Sequence, residues 1–189
     1  MIELLNHEHP QYRAQRDMWR RYHDFYVGGE QLRHHAGSYL VRRQKEPVEV
    51  YQERLERVFY ENYLGSIIDW YAATLLRSEP LLTFDPATDF YPAFLRDADL
   101  EGRSFLEFCR RAFLQALVFQ HSYALIDFPR GPGTVGSRAE EDALGRSRAY
   151  LVSFSPEDLI NWRLDRRGNF ECVVLRTDTS YHPDLLSPE

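Results

Sequence analysis

The sequence predicts an α+β fold: mainly helical over residues 1–121, with a long central helix, and a small antiparallel or mixed sheet over 122–189. Three observations lead there. Aromatic and apolar residues recur every three or four positions as far as His121, which is the helical period. Beyond it come short runs rich in β-branched and aromatic residues, bounded by turn formers. Within the helical part Ser104-Phe-Leu-Glu107 forms a capping-box pattern, which marks the start of its last helix. A chain of 189 residues fits one domain, and its 43% hydrophobic content supplies enough apolar surface to offset the entropy of ordering it.

Taken in order, Pro10 stands at the first position of an amphipathic helix over about 10–27. Tyr12, Gln15, Trp19, Tyr22 and Tyr26 advance along one face, and Gly28-Gly29 stops it. Residues 30–45 read as a connecting loop. From Glu46 to Arg77 no proline follows Pro47, so one helix of about 48 Å is expected, its second half buried because it is apolar on most sides. Within that half Asn62, Ser66, Asp69 and Ala73 lie four, three and four residues apart, a narrow small-polar stripe on which a neighbouring element would pack. A lone Asp69 among Ile67, Ile68, Trp70 and Tyr71 would need a cationic or strong hydrogen-bonding partner from another segment. The segment 81–95, with Leu81-Leu-Thr-Phe84 and the loop Asp85–Asp89, favours turns. A helix follows from Ser104 to about His121.

Strands are expected over Ser122–Phe128, Tyr150–Phe154 and Phe170–Arg176. Arg166-Arg-Gly-Asn169 reads as the turn pairing Asn161–Asp165 with the last of them. Residues 129–148, rich in Gly, Pro and charge, read as a mobile excursion.

Several features invite a catalytic reading and do not sustain it. Gly131-Pro-Gly-Thr-Val-Gly136-Ser137 follows a strand and spaces its glycines like a phosphate loop. The essential lysine is absent, Arg138 stands where a magnesium-ligating hydroxyl belongs, and Glu140-Glu-Asp142 would repel a triphosphate. His7, His9, His34 and His35 lack zinc-site spacing and read as surface residues. Asp97, Asp99 and Glu101 read as turn and cap residues ahead of Ser104. Cys109 and Cys172 have no CxxC context and read as reduced, packed thiols. No serine sits in a G-x-S-x-G elbow. No catalytic, cofactor-binding or metal residue is therefore assigned, and the chain reads as a non-enzyme. A net charge of −6 argues against gripping nucleic acid through a dense basic surface. The N-terminus carries no signal-peptide pattern and no apolar run approaches the roughly 18 residues of a membrane span, so a cytosolic origin is expected.

The early Tyr/Trp-rich helix comes first, then Gly37-Ser-Tyr39-Leu40 and Arg54-Leu-Glu-Arg-Val-Phe-Tyr-Glu-Asn62. Asp97-Ala-Asp99-Leu-Glu-Gly102-Arg-Ser104-Phe, Tyr123-Ala-Leu-Ile-Asp127-Phe-Pro129 and Ile160-Asn161-Trp162-Arg163 follow. In this order and spacing, over nearly the whole chain, they resemble the N-terminal, wing-like half of tailed-bacteriophage portal proteins. The resemblance implies a homo-oligomeric ring of about twelve copies at a capsid vertex, symmetric closure being the usual way identical subunits assemble. It also implies contacts with terminase, capsid or scaffold and tail connector proteins, and double-stranded DNA passing through without sequence-specific binding. The place of such a protein is the virion, and the host or prophage-bearing cytoplasm during assembly. The stem, clip and crown that such proteins carry further along have no counterpart in these residues. Asn161 and Trp162 are then structural anchors, with Trp162 well buried against the helices. The competing readings are a self-contained head-completion or adaptor protein, and a nucleotide-binding enzyme using Gly131–Ser137.

Overall fold

A computed structural model describes residues 7–78, 80–83, 90–129, 136–143 and 148–176. The fold is α+β, about half helical, with two small antiparallel sheets in its C-terminal part. Helix α1 spans Pro10–Val27: Pro10 fits the first turn, where no intrahelical donor is needed, and the His9 ring accepts from the Gln11 amide at 3.2 Å. Gly28, at φ 65°, ends it in the left-handed region that a side chain disfavours.

In place of the loop expected over 30–45 stand two short helices, α2 (Gly29–His34) and α3 (Ala36–Tyr39). The single long helix expected over Glu46–Arg77 is broken into α4 (Val48–Glu56) and α5 (Tyr63–Leu75). The break has a tertiary cause. Tyr60 Oη donates to the Phe25 carbonyl at 3.0 Å, and Asn62 Nδ2 donates to the Tyr26 and Val27 carbonyls at 2.6 and 3.3 Å. These carbonyls end α1 and have no intrahelical partner. Satisfying them holds residues 57–62 out of helical geometry, while Asn62 Oδ1 caps the new helix at the Gly65 amide, 2.8 Å away.

After α6 (Phe90–Arg96), α7 (Phe105–Phe119) begins at the expected cap, Ser104 Oγ accepting from the Glu107 amide at 3.2 Å, and ends at Gln120 with φ 72°. The residues between α6 and α7 are ordered by their own acids. Asp99 accepts from the Glu101 and Arg103 amides, and Asp97 accepts from the Gly102 amide and from Arg148.

The expected single sheet is two hairpins. β1 (Tyr123–Asp127) pairs with β2 (Tyr150–Phe154), and β3 (Leu159–Leu164) pairs with β4 (Phe170–Leu175) around the turn held by Asp165. Between β1 and β2, α8 covers Arg138–Ala143; residues 130–135 and 144–147 of the expected excursion, and 84–89 of the earlier loop, lie outside the described residues.

Tyr12 and Trp19 of α1, Val118 and Phe119 of α7 and Ile160 of β3 form the core. Tyr22, Tyr26, Ile68, Trp162 and Val174 close around it. Burying side chains of this size contributes about 1.5–3 kcal/mol each. The two ends of the described chain meet there: the His9 amide donates to the Ile160 carbonyl at 2.9 Å, and Tyr12 Oη to the Glu157 carbonyl at 2.9 Å. Among the described residues no helix is long and apolar enough to cross a membrane.

Candidate subunit interface

The start of α5 is bolted to the end of α1. Asn62 bonds α1 carbonyls with its amide nitrogen and caps α5 with its oxygen, so one side chain serves two helix termini. This demands a close approach, and Gly65 permits it. A Cβ at Gly65 would lie 2.7 Å from Asn62 Nδ2 and 2.8 Å from the Tyr26 carbonyl oxygen.

The residues expected to share one packing stripe are not all brought together. Asn62 and Asp69 reach α1, Asp69 by accepting from Tyr26 Oη at 2.7 Å, so its partner is a phenol, not a cation. Ser66 stays exposed, its hydroxyl donating to the Asn62 carbonyl at 3.1 Å, and Ala73 is exposed as well. The face that packs is one position away, through Gly65, Ile68 and Ala72. The smallest side chains let the two backbones approach, and the small-polar stripe lies at the edge of that contact. Burial, and then the Asp69 carboxylate, push the Tyr26 hydroxyl up to about 12.

The expectation that this apolar half would be buried is overturned. Tyr63, Leu64, Ile67, Trp70, Tyr71 and Leu75 are between 42 and 64% exposed. Only a narrow stripe of α5 meets α1 and α7, and among the described residues nothing lies over the broad remainder of its apolar circumference.

A second uncovered apolar region lies on the hairpins. A groove of about 240 Å³ is lined by Tyr123, Leu125 and Phe154 on one side and Leu159, Phe170 and Val173 on the other. The one carboxylate lining it, Glu171, is paired with Arg163 at 2.8 Å. Cys172, expected to be packed, is exposed on this strand, since among the described residues nothing covers that face of β4; Cys109 is half-buried and both thiols are free.

Trp162, expected to be well buried, is half-buried: its ring stacks on His9 at 4.0 Å, with the core on its other side. Asn161 ties β3 to the chain's start, Nδ2 donating to the His7 carbonyl at 2.8 Å.

The most deeply buried charged group among the described residues was missed by sequence reasoning. Asp24 is fully buried and accepts from Tyr39 Oη, from Gln31 Nε2 at 3.1 Å and from His35 Nδ1 at 2.7 Å. His35, read as a surface residue, therefore has a structural partner. Burial works to raise the Asp24 carboxyl's pKa; the three donors overcome it and hold the group below the usual carboxylate range. Burial, and then Asp24 itself, push Tyr39 up to about 12. A signal existed. An acid in the last turn of a helix opposes the macrodipole, so Asp24 at that position announces a specific set of donors.

Of the phosphate-loop candidate Gly131–Ser137, only Gly136 and Ser137 lie within the described residues. The Gly136 amide donates to Glu140 at 3.1 Å and Ser137 Oγ accepts from the Glu140 amide at 3.3 Å, so an acid of the chain already engages the backbone there. Among the described residues no group of three or more His, Cys, Asp or Glu side chains could hold a metal ion.

No protein-family model matches the chain, and no curated protein matches its sequence.

Proposed function

We propose that this chain is a structural subunit of a tailed-phage portal, acting by assembly into a ring at a capsid vertex. The observation that carries the reading is the uncovered apolar face of α5: a rigid, capped helix presents two exposed tyrosines and a tryptophan at 57–64% exposure. Contiguous apolar patches of this kind mark protein contacts, because leaving them in water costs free energy that a partner removes. The ordered run of segments resembling portal proteins supplies the identity of the assembly.

The net charge of −6 suits a wall past which DNA slides without adhering. Terminase, capsid or scaffold and tail connector proteins are the partners this reading assigns. The test is the mass of the purified chain by light scattering at micromolar concentration, with negative-stain images of the same sample. Ring-shaped oligomers are expected; a strictly monomeric chain over that range refutes the reading.

A further inference from the structure

Identical subunits that close a ring meet head to tail, each using two different surfaces. We infer that these surfaces are the outer face of α5 on one copy and the β1/β4 groove on the next; the inference rests on the assembly reading above.

Both surfaces are apolar, both are uncovered, and they are complementary in kind. The outer face of α5 has no layer over it among the described residues, and neither does the groove face of the paired strands, whose other face meets α1. Apolar helices and strands find cover by packing on one another. The described residues of one chain do not satisfy both demands themselves. α5 is fixed against α1 and α7 through Gly65, Ile68 and Ala72, and β3–β4 is fixed to α1 through Ile160 and Trp162. A second copy supplies what each surface lacks.

Charge and area favour the same occupant. Copies carrying −6 each repel, so they can meet closely only where neither presents net charge. Between Tyr63 and Leu75 the only charged residue is Asp69, and it is bonded to Tyr26 of α1 at the edge of the helix, off the face that carries Tyr63, Ile67, Trp70 and Tyr71. In the groove Glu171 is neutralised by Arg163. With aromatic side chains of about 150–250 Å² each, the six exposed residues of α5 offer on the order of 600–700 Å². A stable interface buries about 800 Å² per partner, so this face supplies most of one. The groove is of a size that a Trp or Tyr side chain fills, and the pairing assigns it to Trp70 and Tyr71, 61 and 57% exposed on α5.

Cys172 lies in the groove and gives a direct test, because Tyr71→Cys places a second thiol on the opposing surface. The full chain carrying Tyr71→Cys is treated with a short bis-maleimide and run on a denaturing gel. A ladder of dimer, trimer and higher species is expected, and Cys172→Ser in the same chain abolishes it. A single dimer band that persists with Cys172→Ser means α5 meets α5, and overturns the pairing. So does a sample that assembles but yields no ladder.

A second measurement does not rely on cross-linking. Trp70→Glu/Tyr71→Glu blocks one surface and Leu125→Glu/Phe170→Glu the other. Each variant alone is expected to be monomeric, and an equimolar mixture to give one discrete dimer through the intact surface of each. Either variant assembling alone, or a mixture that stays monomeric, overturns the inference. A monomeric unmodified chain overturns the assembly reading itself; an assembled one with the failures just named overturns only the pairing of surfaces.

Discussion

Gly65→Ala is the sharpest perturbation of the α1–α5 joint, because intrinsic propensity and packing pull in opposite directions there. Replacing glycine by alanine inside a helix is worth up to about 1 kcal/mol in stability. The added methyl would sit 2.7 Å from Asn62 Nδ2, 2.8 Å from the Tyr26 carbonyl oxygen and 3.0 Å from Asn62 Oδ1. Two of those atoms belong to the side chain that caps both helices and the third is backbone, so relief means opening the joint. Overpacking of this sort costs about 1–3 kcal/mol. Losing the Asn62 cap adds about 0.5–2 kcal/mol. The net is a destabilisation of about 0.5–4 kcal/mol, and for a chain of this length each kcal/mol lowers Tm by about 2–4 °C. Gly37→Ala is the internal control. Its nearest neighbour would be Tyr51 Oη at 3.9 Å, an ordinary contact, so propensity alone acts and Tm holds or rises. Thermal melts followed by circular dichroism measure both. A Gly65→Ala variant as stable as the parent, or more so, refutes the close-approach argument.

Asn62→Ala removes a cap and leaves two α1 carbonyls without their donor; a loss of about 1–3 kcal/mol in urea unfolding is expected, and a loss below 0.5 kcal/mol (roughly the floor for a cap) counts against the joint. Ile160→Ala, at 1% exposure in the core, is expected to cost about 2–5 kcal/mol by the same measurement. The pH dependence has a definite sign. Because the folded pKa of Asp24 is depressed, its contribution is fully present above the unfolded carboxylate pKa, near 3.9, and is lost as pH falls through the lower folded value. Tyr39→Phe removes one of the three donors, so acid unfolding is expected at higher pH than in the parent, and an unchanged acid midpoint refutes the role. Tyr26 and Tyr39 are expected to ionise last in an absorbance titration, near 12, and Asp69→Asn to lower the Tyr26 value; simultaneous ionisation of all tyrosines refutes both assignments.

What could be read from the sequence was local. Pro10 and the Ser104–Glu107 pair specify the starts of α1 and α7 within one helical turn, and both helices begin there. The break between α4 and α5 was illegible because the carbonyls that cause it, Tyr26 and Val27, lie 36 and 35 residues from Asn62. Apolar composition misled in a consistent way. It reports that Trp70, Tyr71 and Cys172 would gain from cover, and says nothing of whether that cover belongs to the same chain. The stripe through Asn62 and Asp69 was displaced by one position for a related reason: polarity marks the edge of a contact, whereas Gly65 and Ala72 mark where backbones touch.

The bonds joining the start of the chain and its first helix to β3 and the residues just before it span 145 residues between Tyr12 and Glu157 and 154 between Asn161 and His7. A ribosome adding about 5–20 residues per second needs roughly 8–30 s to cover that distance. For that interval Tyr12 and Trp19 lack Ile160, and the first helix waits with its aromatic stripe in water. Contacts so distant in sequence also slow the search for the native arrangement once synthesis is complete. Incompletely covered aromatic surface of this kind is what makes a nascent chain prone to aggregate, and Ile160 is the last buried member of that cluster to be synthesised.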